Sequence, residues 1–150
     1  VRRVLRYPGV FSFATLGPGS FQELREAWQA VDGDPHVMRF PEMTALGNGL
    51  LRAGLTEPVI DVETLTICYA DLRQLTTDLR STGTTNPNSG RSQGLTGRRR
   101  WAQLEAAYGE RRDANGALPV TLEMVFGTVW AQAPNRSPAQ LRDGPSSRSI

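Results

Sequence analysis

Cysteine, histidine and lysine are scarce in this chain of 150 residues, which has one cysteine, one histidine and no lysine. A single cysteine excludes an intramolecular disulfide and is typical of a reducing compartment. Because His36 is the only histidine, Cys68 has no clear catalytic partner. Cys68 lies in an apolar run, so we expect a buried structural thiol rather than a nucleophile.

The absence of lysine means that all seventeen basic residues are arginine, against fifteen acidic residues. Guanidinium groups stay charged at any working pH and form a planar fork that suits carboxylates and phosphates. The net charge is only +2, and a balance this small does not by itself indicate a nucleic-acid partner.

Long apolar runs are also missing, because no stretch of eighteen apolar residues occurs. We therefore expect no membrane-spanning helix. Residues 1–10 hold too little apolar content for a signal peptide. The cytoplasm is the default expectation.

Apolar periodicity predicts alternating strands and helices. Strands are predicted at 10–15, 59–69 and 119–131, and helices at 20–31, from 41 to near 54, at 71–80 and after 96. Ser20 and Glu23 form a capping-box pattern at the start of the first of these helices. Strands separated by helices indicate an α/β fold with a partly parallel sheet.

The ends of the chain suggest a part of something larger. Residues 1–6 read as the end of a helix whose beginning is missing, and three strands make a small sheet. Residues 133–150 contain three prolines, four serines and three arginines without apolar periodicity, and we expect a disordered tail there. The ordered unit is then 1–132.

Several stretches in this order resemble one family, the malonyl-acyl-carrier-protein O-methyltransferases of biotin synthesis, in its C-terminal half. The most specific are "GSFQELREAW" with "PHVMRF" and "GLTG"; "LLRAGLTEPVIDVETLTICYADLRQLTTDLRSTG" and "LPVTLEMVFGTVW" follow the same order. The resemblance covers about residues 1–131. It implies a class I, Rossmann-like methyltransferase fold in which this chain supplies strands five, six and an antiparallel seven, with the intervening helices.

The implied activity is methyl transfer from S-adenosylmethionine to the free carboxylate of malonyl carried on acyl carrier protein. The ester masks a charge, so that fatty-acid enzymes can elongate the chain. Within the family this chain would be the substrate half, with a lid and the last strands of the sheet. The cofactor half is missing, since no glycine-rich loop for a nucleotide follows a strand here. The stretch "RYPGV" also departs from the basic residue and Pro-Gly-Gly that usually precede the fifth strand.

The resemblance points to four substrate-binding candidates: His36, Arg39, Asn86 and Arg91. His36 and Arg39 lie in "DPHVMRF", between two predicted helices, and Asn86 and Arg91 lie in the long polar loop that follows. Arginine and histidine can hold a carboxylate in line for methyl transfer. The alternative for His36 is a purely structural hydrogen bond. No residue is predicted to bind a metal.

Three consecutive arginines, Arg98, Arg99 and Arg100, begin the helix after Thr96. They face the positive end of the helix dipole, which is unfavourable by roughly 0.3–1 kcal/mol per charge. Because acyl carrier protein is acidic, the triplet is a candidate docking surface. A plain solvated surface is the alternative.

Other functions remain open at this point. The chain could be a non-catalytic half-domain that binds an acidic carrier protein or a separate cofactor-binding subunit that replaces the missing N-terminal half. It could belong to a related methyltransferase that modifies a protein side chain. Nucleic-acid binding through the arginines is poorly supported, because Trp101 and Tyr108 are predicted to lie in the core and not to stack on bases.

Overall fold

The computed structural model describes residues 1–82 and 96–133. These residues form three strands and four helices in the order β1 (Val10–Leu16), α1 (Gln22–Val31), α2 (Met43–Arg52), β2 (Leu55–Tyr69), α3 (Leu72–Ser81), α4 (Arg98–Gly109) and β3 (Leu118–Ala131). The fold is mixed α/β, as the sequence pattern predicted. Asn86, Arg91 and the expected tail, apart from its first residue, lie outside the described residues.

The strands form one sheet in which β3 lies between β1 and β2. β3 is antiparallel to both neighbours, so Leu16 lies opposite Met124 in one pair and Tyr69 lies opposite Leu118 in the other. The expectation of a partly parallel sheet needs a correction, because each hydrogen-bonded strand pair of the described residues is antiparallel. β1 and β2 do run in the same direction, but β3 turns back between them. The carboxyl ends of β1 and β2 therefore lie at the same end of the sheet, where β3 begins.

The core lies between this end of the sheet and helices α1, α3 and α4. Its buried members are Phe21, Leu24, Ala27, Trp28, Leu72, Leu75, Leu104, Tyr108, Leu118 and Val120. Leu75, Leu104 and Tyr108 are fully buried. The Tyr108 hydroxyl donates a hydrogen bond of 2.8 Å to the carbonyl of Pro119, so that α4 is fixed to the start of β3. Each of the described helices is too short or too polar to span a bilayer.

The start of α1 differs from the capping box that the sequence indicated. The cap is Phe21, in a left-handed conformation with φ of 58°, and no side chain hydrogen-bonds to the helix start. Ser20 is fully buried, and its hydroxyl accepts from the Glu123 amide at 3.0 Å and donates to the Glu123 carbonyl at 3.2 Å. The Glu23 carboxylate accepts from the amide of Thr121 at 3.0 Å. The Ser20 and Glu23 side chains therefore connect α1 to β3 instead of capping the helix, because they bond to backbone groups of the strand.

One further expectation is wrong. Cys68 is exposed, because it pairs with Pro119 on the opposite side of the sheet from Leu118 and Val120, which face the core. The first residues, predicted as the end of a helix, make a single turn in which the amide of Leu5 donates to the carbonyl of Val1 at 3.0 Å.

Candidate functional site

The segment that leaves α1 places His36 against the end of that helix. The His36 ring stacks on Trp28, with ring centroids 3.6 Å apart and planes inclined by 15°. Its Nε2 lies 2.8 Å from Asp32 Oδ1, and both side chains are only 15% exposed. Since a carboxylate can only accept, Nε2 is the donor in this contact. His36 therefore has a hydrogen bond within the fold, and this bond fixes the orientation of the ring.

Asp32 connects this segment to the start of α4. Its Oδ2 atom lies 3.6 Å from an Arg100 guanidinium nitrogen and has no hydrogen-bond partner among the described residues. Asp32 therefore bridges His36 and Arg100, two side chains that lie far apart in the sequence.

A three-residue acidic and imidazole cluster lies at the same place. Asp32, Asp34 and His36 each bring a ligand-type atom to within 4.8 Å of the others. The geometry does not require an ion, because His36 already bonds to Asp32 and the amide of Asp34 donates to the same Asp32 oxygen at 3.2 Å.

Arg25 and Arg39 together border two clefts around this segment. One cleft, of about 90 Å³, is also lined by His36 and Trp28. The other, of about 330 Å³, is also lined by Pro18, Phe40 and Glu42. We call the Arg25, His36 and Arg39 side chains, with the two clefts that they border, the cationic niche.

Arg25 was missed by sequence reasoning. Its guanidinium donates to the carbonyls of Pro18 at 3.3 Å and Ser20 at 2.9 Å, so it is held against the loop after β1. Its Nε is buried and has no acceptor among the described residues. A donor in that state can take an acceptor from a ligand. The sequence carries no signal for this role, since an arginine in an amphipathic helix reads as a solvated residue.

A third cleft, of about 320 Å³, opens at the carboxyl ends of β1 and β2. Its apolar lining is Leu16, Phe21, Ile67, Leu79, Val120 and Leu122, and Tyr69, Asp78, Ser81 and Thr82 also border it. Burial and then the nearby Asp78 carboxylate, which also hydrogen-bonds to the phenol, raise the pKa of Tyr69. This apolar cleft suits an uncharged aliphatic ligand better than an anion.

The predicted docking triplet is divided among three surroundings. Arg100 faces Asp32, whereas Arg98 lines a separate cleft between α3 and α4. Arg99 is exposed. The helix begins at Arg98, and Gly97 is its cap. Of the substrate candidates, His36 and Arg39 come together in the niche, and Asn86 and Arg91 lie outside the described residues.

A nucleotide-like cofactor would need a glycine loop with free amides after a strand. The loop after β1 contains Gly17 and Gly19, but the side chain of Glu123 fills it. The Gly19 amide donates to Glu123 Oε2 at 3.1 Å, and a Cβ at either glycine would collide with that carboxylate. This loop does not fit S-adenosylmethionine, and no other loop of the described residues has the required pattern.

Comparison with known proteins relates the chain to one set of enzymes. No protein-family model matches it. It is 43% identical over 95% of its length to a malonyl-[acyl-carrier protein] O-methyltransferase of Laribacter hongkongensis, and 43% identical over 89% to that of Gallionella capsiferriformans. The protein of the same name from Legionella pneumophila is 41% identical over 89%.

The chain spans about half the length of these curated relatives, 47%, 46% and 47% respectively. Among solved structures, YcgJ from Bacillus subtilis superposes with a TM-score of 0.49 at 14% identity, over 89% of this chain and 55% of that one. The resemblance seen in the sequence motifs is confirmed: the chain is homologous to the malonyl-[acyl-carrier protein] O-methyltransferases over about half of their length.

Proposed function

We propose that a protein containing this chain transfers a methyl group from S-adenosylmethionine to the free carboxylate of malonyl-acyl-carrier protein, in biotin synthesis in the cytoplasm. The observation that carries the proposal is the 43% identity over 95% of the chain to a relative of that name. Residues 1–132 would form the substrate side of the enzyme. Because the loop after β1 does not fit the cofactor, S-adenosylmethionine would be held by a part of the protein that this chain does not include.

The cationic niche supplies what a carboxylate substrate needs. A carboxylate is already a charged nucleophile, so its methylation needs orientation and exclusion of water more than acid–base help. The guanidinium groups of Arg25 and Arg39 can hold one carboxylate oxygen by charge-assisted hydrogen bonds. His36, fixed by Trp28 and Asp32, presents the remaining face of its ring to the same cleft.

The apolar cleft suits the rest of the acyl group. Its aliphatic lining at the carboxyl ends of β1 and β2 favours the thioester and methylene portion of a short acyl chain. Because this lining is mainly apolar, the uncharged end of malonyl would lie in the cleft, and its charged end would lie in the niche beside Arg25 and Arg39.

The test is a methyl-transfer assay on the full-length natural protein that contains this sequence, with malonyl-acyl-carrier protein and labelled S-adenosylmethionine. We expect methyl ester to form on malonyl and not on the acetyl form, which lacks the free carboxylate. Absence of ester on malonyl-carrier protein under conditions where the protein binds the cofactor would contradict the proposal.

Arg39→Ala should lower kcat/KM for malonyl-carrier protein by about 10- to 100-fold, because a hydrogen bond to a charged group contributes about 1.5–3 kcal/mol. The effect should appear mainly in KM if Arg39 binds the ground-state carboxylate. Arg52→Ala, at the exposed end of α2, removes the same charge away from the niche and should change kcat/KM less than twofold. Equal losses in the two variants would place the substrate elsewhere.

A second candidate function is favoured by the loop after β1, which does not fit the cofactor. On its own the chain would be a binding module for the acidic carrier protein or for a separate cofactor-binding subunit. Calorimetry of the 150-residue chain with S-adenosylmethionine should then show no binding, while the chain should co-purify with its partner from the source cells. Stoichiometric binding of the cofactor to the chain alone would exclude this module.

A further inference from the structure

Helices α3 and α4 enclose a basic cleft that neither the niche nor the apolar cleft includes. Its volume is about 640 Å³, and its lining is Arg73, Thr76, Thr77, Arg80, Thr96, Arg98 and Trp101. Arg98 is two residues from Arg100, which contacts Asp32 beside the niche. Because residues two apart lie on different sides of a helix, the cleft and the candidate site are on different sides of α4.

The spacing of residues in α3 accounts for the first wall of the cleft. Arg73 and Arg80 are seven residues apart and so lie on one helix face, with two threonines between them at helical spacing. The opposite stripe, Leu72, Leu75 and Leu79, faces the core. The helix is thus amphipathic with an apolar side and a side that carries two guanidinium groups.

The three arginines of the cleft have no ion-pair partner in the part of the chain that the structure describes. Within residues 1–82 and 96–133, Arg73, Arg80 and Arg98 form no ion pair and no side-chain hydrogen bond. Arg100 and Arg111, by contrast, pair with Asp32 and Glu26. No carboxylate lines the cleft within the described part of the chain. Like charges gathered around a concave surface repel one another and concentrate a positive potential, which a bound anion relieves.

The neutral groups that line the cleft limit the class of ligand that it can recognise. The hydroxyls of Thr76 and Thr77 donate to the carbonyl of Arg73 at 3.0 and 2.8 Å, so their protons are already used. The indole Nε1 of Trp101 is buried and has no acceptor in the described part of the chain. A buried donor without a partner calls for an acceptor at this wall. Recognition would therefore come from guanidinium and indole donors, which favours a ligand rich in acceptor oxygens.

We infer that this basic cleft binds a phosphate ester. Guanidinium groups match the paired oxygens of a phosphate in a bidentate fork, and several arginines around a concavity are suited to a small group with oxygens on several sides. A cleft that is concave and basic fits a phosphate headgroup better than the broad surface of an acidic protein. The source to which we commit is the phosphodiester of the 4′-phosphopantetheine arm, and this identity rests on the proposed function. The inference that the cleft binds a phosphate ester does not rest on the proposed function.

The experiment is a titration of the 150-residue chain with 4′-phosphopantetheine and with pantetheine, followed by calorimetry or by NMR shifts. These two probes differ only in the phosphate. We expect phosphopantetheine to bind at least about tenfold more tightly, because several charge-assisted hydrogen bonds are lost without it. Inorganic phosphate should compete. Equal affinity for the two probes would overturn the inference.

Two variants with the same change in net charge give the control. Arg80→Ala should weaken phosphopantetheine binding by about tenfold or more, whereas Arg52→Ala should leave it within twofold; circular dichroism checks that both are folded. Equal weakening by both variants would show a long-range charge effect and would overturn the inference that the cleft is the binding site. So would equal affinity of the chain for carrier protein with and without its phosphopantetheine arm, because an acidic protein surface would then be the ligand. If the protein binds the phosphate ester but transfers no methyl group, the proposed function is wrong and the inference about the basic cleft stands.

Discussion

Leu104→Ala should lower the free energy of unfolding of the chain by about 2–5 kcal/mol, the usual range when a buried leucine becomes alanine. Leu104 is fully buried in α4, where it belongs to the cluster that includes Leu75 and Val120. Its removal would leave a cavity between α4 and the sheet. The measurement is urea unfolding, with the midpoint and slope compared at one temperature.

The neighbouring exposed residue Gln103 provides the control. Gln103→Ala, in the same helix and on its outer side, should change the free energy of unfolding by less than about 0.5 kcal/mol. The contrast has a functional consequence, because α4 carries Arg98 of the basic cleft and Arg100 that faces Asp32. A Leu104→Ala midpoint equal to that of Gln103→Ala would mean that α4 does not depend on this packing.

Hydrophobic periodicity predicted the order of the helices and strands, but it did not predict every residue at which they begin or end. β2 begins at Leu55 and not at the predicted 59, because the strand continues through a register shift between Thr56 and Val59. Glu57 adopts a positive φ of 54° there, and Pro58 reads in the sequence as a strand break. A bulge of this kind is decided by pairing with β3, which a local pattern does not contain.

The failures at Ser20 and Cys68 share one cause. The Ser20 pattern is that of a helix cap, yet the competing partners are backbone groups of Glu123, more than one hundred residues away. Cys68 is apolar in context, yet the register with Pro119 turns it away from the helices. In both cases, contacts distant in sequence decided between two local possibilities.

The candidate site was predictable in part. The resemblance drew attention to His36 and Arg39, and the structure brings them to one cleft. Arg25 joins them only because the loop after β1 supplies carbonyls to its guanidinium, and α3 contributes arginines to a cleft with Arg98 only because α3 and α4 pack on the same sheet. Neither arrangement has a signature in sequence spacing within one element.

Tyr108→Phe should reduce stability at neutral pH by about 0.5–1.5 kcal/mol, because the part-buried hydrogen bond to the carbonyl of Pro119 would be lost. The same residue gives the fold a dependence on alkaline pH. Burial, and then the nearby Glu23 carboxylate, raise the pKa of Tyr108 far above its ordinary value of 10.0. The folded chain therefore keeps a phenol proton that the unfolded chain releases.

The sign follows from this difference in bound protons. Above about pH 10 the unfolded state holds fewer protons than the folded state, so the free energy of unfolding of the wild type should fall by up to about 1.4 kcal/mol per pH unit on account of Tyr108. Below that pH the contribution is fully present. Tyr108→Phe removes this dependence, and Tyr69, whose pKa is also raised, leaves a smaller one. Urea unfolding of both proteins from pH 8 to pH 11 should show the steeper decline in the wild type. Parallel declines would mean that the Tyr108 phenol titrates as freely in the folded chain as in the unfolded one, and that α4 is not sealed against β3 at Pro119.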